Sequence, residues 1–145
     1  MKIFFSALLL AINVLASSAA ETNTVPVSSS RAPDSRCFEL RTYYAAPGKL
    51  EALNARFRDH TCALFKQHGM EIIGFWIPAD QESGAENKLV YMLAHKSRAA
   101  AIQSWTDFGN DPEWKKARTA SELNGKLTEK VESVFLSATD YSPLK

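Results

Sequence analysis

Between Cys37 and Tyr44 apolar and polar side chains alternate with a period of two, and beyond Pro47-Gly48 the period lengthens to that of a helix. The first stretch reads as a strand. On it Phe38, Leu40, Thr42 and Tyr44 take one face and suit a core packed under helices, while Cys37, Glu39, Arg41 and Tyr43 take the other. From Lys49 to His68 the residues Leu50, Leu53, Phe57, Leu64 and His68 fall within about 40° of one line, the apolar stripe of an amphipathic helix, with His60 at its edge. Gly69 supplies a left-handed cap, beside which His68 complements the helix carboxyl end.

The next run, Glu71 to Pro78, is apolar on both faces, with Ile73, Phe75 and Ile77 alternating against Ile72, Gly74 and Trp76. A polar turn over 79–87 leads to a strand in which Leu89, Tyr91, Leu93 and His95 alternate. Ser97 is placed to cap a helix carrying Ala101, Ile102, Trp105 and Phe108 and ending at Gly109. Asp111-Pro112-Glu113-Trp114 opens a short third helix to about Leu123, since Asp caps free amides and Pro fits the first turn. Val131 to Leu136 is the last strand, again apolar on both sides. The pattern predicts an α+β domain of order β-α-β-β-α-β: a four-stranded antiparallel sheet with helices on one face. One helical layer covers one face only, so the two-sided strands predict burial of the other face against a second copy, a homodimer.

Residues 1–20 have a basic start, an apolar run from Ile3 to Ala16 and small residues up to Ala20. That is the form of a secretory signal cleaved near Ala20, too short to span a bilayer, and it predicts a secreted or periplasmic product. Residues 21–36, rich in Ser, Thr and Pro, read as a flexible tether, and 37–145 as the domain. Beyond Ala20 there remain 16 basic and 16 acidic residues. Neutrality without a basic block argues against a nucleic-acid partner and against anionic membrane. In an oxidising compartment Cys37 and Cys62 invite a disulfide, yet Cys62 falls about 140° from Phe57 around an ideal helix. A bridge and two unpaired thiols both stay open.

The histidines form no metal set: His60 and His68 are about 80° apart on one helix, and His95 is on a strand. No phosphate loop, nucleophile elbow or other catalytic motif is legible, and nothing names a cofactor. What remains is a candidate ligand pocket of Arg41, Tyr43, Trp76 and His95, converging between the sheets of two subunits. Arg41 would hold an anion, Tyr43 and Trp76 would give flat walls, and His95 would move a proton near neutral pH. The bland alternative pairs Arg41 with Glu39, puts Trp76 in a dimer core and His95 at the surface. Trp105 and Trp114 read as packing anchors.

The run ELRTYYAAPGKLEALNARF, followed by HGMEIIGFW, DPEWKK and TDYSPL, resembles the NIPSNAP family across residues 37–144. The resemblance implies a ferredoxin-like domain in a dimeric α/β barrel and carries over no catalytic residue. Three readings follow. One is an exported homodimer that binds a small ligand or a protein without turnover. Another is a cofactor-free or haem-degrading monooxygenase-like enzyme on the same barrel, and a third is a pure interaction module.

Overall fold

The computed structural model describes residues 27–145. The expected signal sequence and the start of the expected tether lie outside the described residues. The element order is β1 (Cys37–Ala45), α1 (Leu50–Arg56), a π-helical segment (Phe57–Thr61), α2 (Cys62–Gln67), β2 (Glu71–Trp76), β3 (Lys88–His95), α3 (Arg98–Asn110), α4 (Pro112–Ser121) and β4 (Thr128–Ser137). The four strands form one sheet in the order β2-β3-β1-β4, and every neighbouring pair is antiparallel. This is the ferredoxin-like β-α-β-β-α-β arrangement that the pattern predicts.

Its caps form where the residue types place them. Ser97 accepts from the amide of Ala100, and Asp111 accepts from those of Glu113 and Trp114. Gly69 has φ 73°, the left-handed conformation that closes α2. His68 reaches the second oxygen of Asp111 at 2.8 Å, which ties the end of α2 to the start of α4. No helix among the described residues is long and apolar enough to cross a membrane.

The register of β1 overturns the expected assignment of its faces. Leu93 lies opposite Glu39, Tyr91 opposite Arg41 and Leu89 opposite Tyr43, and all of these sit on the helix side. Phe38, Leu40, Thr42 and Tyr44 lie on the outer side, where Phe38 packs with Ala94, Ile73 and Met92. The alternation was present, but both faces of β1 are substantially covered in the sheet, and alternation alone does not say which one meets the helices. The inner core is aromatic. Tyr91 and Phe65, both inaccessible to solvent, touch Phe57, Tyr43, Phe75, Phe108 and Trp105 with ring centroids 5.1–5.8 Å apart.

A second departure lies inside the first helical stretch. At Phe57–Thr61 the hydrogen bonds widen by one residue, and the amide of Cys62 binds the carbonyl of Phe57. Thr61 Oγ1 donates to the carbonyl of Arg56, which helps to satisfy the backbone at the widening. Five residues there complete about one turn. Phe65, rather than Leu64, therefore becomes the centre of the buried stripe, His60 is exposed, and Cys62 turns back toward the core. Cys37 and Cys62 are both free thiols. The expected tether also differs: Ala32 is buried, its amide binds the carbonyl of Ala138, and Arg31 bridges Thr139, so 28–36 runs along the chain after β4.

Candidate functional site

A carboxylate with 1% of its surface exposed is the unusual feature of the inner face. Burying one costs several kcal/mol unless it is fully paired. Glu39 is paired four times. Its Oε1 accepts from Arg41 Nη1 at 2.8 Å and from Ser133 Oγ at 2.7 Å. Its Oε2 accepts from Trp105 Nε1 at 2.6 Å and faces His95 Nε2 at 3.1 Å. The elements explain the convergence: β1 carries Glu39 and Arg41 two residues apart on one face, β4 sets Ser133 opposite Arg41, β3 ends in His95, and α3 lays Trp105 across them.

Burial by itself would raise the Glu39 pKa. The hydrogen bonds from His95, Ser133 and Trp105, with the charge of Arg41, outweigh it and hold the group at about 2. At neutral pH it is ionised and accepts only, so the contact with His95 requires the proton on Nε2. His95 Nδ1 is buried without a protein partner. Arg41 is fixed from a second side as well, its guanidinium carbon 4.1 Å from the Trp105 ring centroid and 5.8 Å from that of Tyr43.

Beside this cluster opens a cavity of about 410 Å³ between α3 and the β1/β4 strands. Its lining includes Glu39, Arg41, Trp105, Ile102, Phe135 and Arg98, the last with its guanidinium 3.2 Å from the Phe135 centroid. Arg98 has no acidic partner within ion-pair distance among the described residues.

Of the four residues expected from sequence, Arg41, Tyr43 and His95 share the inner face, and Trp76 is elsewhere. β2 is the far edge of the sheet, separated from β1 by β3, and the register shifts between Ile72 and Gly74. Trp76, 50% exposed, lies over Gly74 and lines a different cavity of about 480 Å³ with Phe57, Phe75, Arg58 and Cys62. The pocket between two sheets is thus corrected to a pocket under the helices, because the polar side of β1 faces inward. His95 is buried rather than a surface residue, and the Arg41–Glu39 pair of the bland alternative is present as one part of a larger cluster. Sequence reasoning missed Ser133 and the role of Trp105. For Trp105 a signal existed, since a buried indole N–H seeks an acceptor. Among the described residues no group of three or more His, Cys, Asp or Glu gathers as a metal site would require.

The family model for NIPSNAP matches residues 38–143. The chain belongs to the NIPSNAP family. A NIPSNAP family protein of unknown function from Agrobacterium tumefaciens is 22% identical, covering 79% of this chain and 98% of that one, with a TM-score of 0.68. A NIPSNAP-like domain protein from Burkholderia xenovorans is 16% identical, with 76% and 90% covered and a TM-score of 0.64. A monooxygenase from the ActVA-Orf6 gene of Streptomyces coelicolor, solved with nanaomycin D, is 16% identical, with 79% and 96% covered and a TM-score of 0.50. Among curated proteins none matches in sequence. At these identities the likeness is one of fold, and the function of a NIPSNAP domain has to be argued from its own residues.

Proposed function

We propose that this NIPSNAP protein is an exported homodimer that binds, without turnover, a small carboxylate-bearing molecule with a flat apolar body in the cavity beside Glu39. The observation that carries this is the charge left once Glu39 is satisfied. Two arginines, Arg41 and Arg98, face one carboxylate, which leaves one positive charge in a cavity walled by Trp105, Ile102 and Phe135. Arg41 is held rigid by Glu39 and Trp105, so little ordering remains to be done when an anion arrives. The volume is that of an ordinary small-molecule site.

The outer face of the sheet supports the homodimer. Val134 and Leu136 on β4 are exposed there beside Leu40, and the half-buried Met92 and Ile73 continue the patch. A sheet covered by helices on one side buries such a face against a copy of itself. Export rests on the sequence of residues 1–20, and the neutral charge of the remainder supports a small-molecule partner over nucleic acid.

Calorimetric titration with benzoate and benzamide tests the binding reading. Benzoate should bind, benzamide should bind more weakly, and Arg98→Ala should weaken benzoate about tenfold while leaving the melting temperature in place. Equal affinity for the acid and its amide would end it. Native mass spectrometry of the exported protein reads cleavage and the dimer together.

A second reading, oxygenation of the bound molecule, is favoured by the buried Glu39–His95 pair, a proton-moving group, and by the fold shared with the S. coelicolor monooxygenase. Protein-dependent oxygen uptake with hydroquinones would replace binding by turnover. The haem-degrading form gains nothing from the geometry, since His95 is turned onto Glu39 and His60 is exposed on the helix.

A further inference from the structure

A second cavity, of about 350 Å³, opens on the same inner face beyond Tyr43. No residue lines both, but the two adjoin along β1 and β4. On β1 the floor passes from Glu39 and Arg41 to Tyr43, and on β4 from Phe135 and Ser133 to Val131 and Thr128. The walls are continuous too. Trp105, which covers the first cavity, packs edge-on against Phe108 at 5.6 Å, and Phe108 lies 4.5 Å from Trp114, which with Phe108 covers the second.

The far end is charged in the same way as the near end. Arg56, Arg118 and Lys126 face two carboxylates, Glu122 and Glu129. Glu122 is shared between Arg56 at 2.8 Å and Arg118 at 3.4 Å, and Glu129 pairs with Lys126 at 2.9 Å. Lys130 is neutralised outside the cavity by Glu132. One positive charge is therefore left over here, as one is left over at Arg41 and Arg98. Arg56 Nε and Thr128 Oγ1 are also buried at this end without a protein partner.

We infer that the two cavities are one groove along the inner face of β4, and that its ligand is an elongated dianion: a flat or apolar rod with a carboxylate at each end. This rests on the binding reading above and extends it from one pole to two. From Phe135 to Val131 the floor runs four strand positions, about 13 Å at the rise of a β-strand, before the turn toward Thr128. A rod of two or three aromatic rings spans that length. Aromatic side chains line its path and the Arg41 guanidinium lies between Trp105 and Tyr43 where the cavities adjoin, so the ligand's body meets rings while its ends reach toward Arg98 and the Arg56–Arg118 pair.

The test is calorimetric titration of the dimer with para-biphenylcarboxylate and with the para,para-dicarboxylate of the same ring system. The diacid should bind at least about tenfold more tightly than the monoacid. Arg118→Ala removes the surplus charge at the far pole only. It should erase the gain of the diacid and leave the monoacid unchanged, whereas Arg98→Ala should weaken both. Arg118 is exposed and its ion pair with Glu122 lies on the surface, so the variant should keep its fold, as an unchanged melting temperature would report. A monoacid that binds with no gain for the diacid, or a gain that survives Arg118→Ala, overturns the two-pole groove and leaves the single site standing. Binding of neither acid overturns both.

Discussion

The two faces of one sheet show opposite solutions to burial. The inner face carries a carboxylate, two arginines, a histidine and a serine among aromatic rings, and the polar cluster is stable because Glu39 accepts four donors. The outer face carries Phe38, Leu40, Val134 and Leu136, with no comparable buried network, and part of it is open in the single chain. Polarity does not mark the solvent side of this molecule. What separates the faces is the fully paired Glu39 carboxylate, and the face that carries it is the one the helices cover.

The largest test of that contrast removes the shared acceptor. Glu39→Ala leaves Arg41, Trp105, Ser133 and His95 without their partner and should cost about 3–5 kcal/mol of folding stability, measured by denaturant unfolding. Acid should reveal the same group in the unmutated protein. The Glu39 pKa of about 2 lies below its unfolded value of about 4.3, so its contribution of about 3 kcal/mol is complete at neutral pH. That contribution is lost as pH falls from about 4 toward 2, and Glu39→Gln should flatten this part of the stability profile.

The outer face should respond in association rather than in folding. Val134→Glu places a charge on the 53% exposed outer position of β4 and should weaken the proposed dimer by at least about 2 kcal/mol in sedimentation equilibrium, with folding of the single chain changed by less than about 1 kcal/mol. The smallest effect belongs to the edge between the faces. A Cβ at Gly74 would come within 2.8 Å of the Trp76 ring, whose far side is free to move. Gly74→Ala should shift Trp76 fluorescence while changing stability by less than about 1 kcal/mol.

The order of elements, the caps at Ser97, Gly69 and Asp111, and the two-sided strands were legible because each depends on residues close in sequence. The orientation of β1 was not. Phe38 and Leu40 are apolar enough for a core, and only the helices, supplied by distant segments, decide that Glu39 and Arg41 lie beneath them. The candidate site was legible in the same proportion. Arg41, Tyr43 and His95 lie on the inner face through alternation along β1 and β3, with Tyr43 and His95 at opposite ends of it, whereas Trp76 lies apart because strand order, not spacing, separates β2 from β1. Ser133 carried no signal at all, since its role depends on the pairing of β1 with β4. Ala32 was read as tether for the same reason: its partner Ala138 lies at the other end of the domain.

The π-helical segment makes chain length, not side-chain identity, the sensitive quantity in the first helix. Arg58, Asp59 and His60 are exposed, so replacing any one of them disturbs little. Deleting one would let the regular hydrogen-bond ladder close and would leave Phe65 seven positions after Phe57, on the same face of an unbroken helix. Inserting one would instead turn everything after it by about 100° and swing Phe65 away from Tyr91, Trp105 and Phe108, the rings it now joins. Three exposed positions that tolerate substitution and the loss of one residue, but not the gain of one, are the signature this geometry leaves in the sequence.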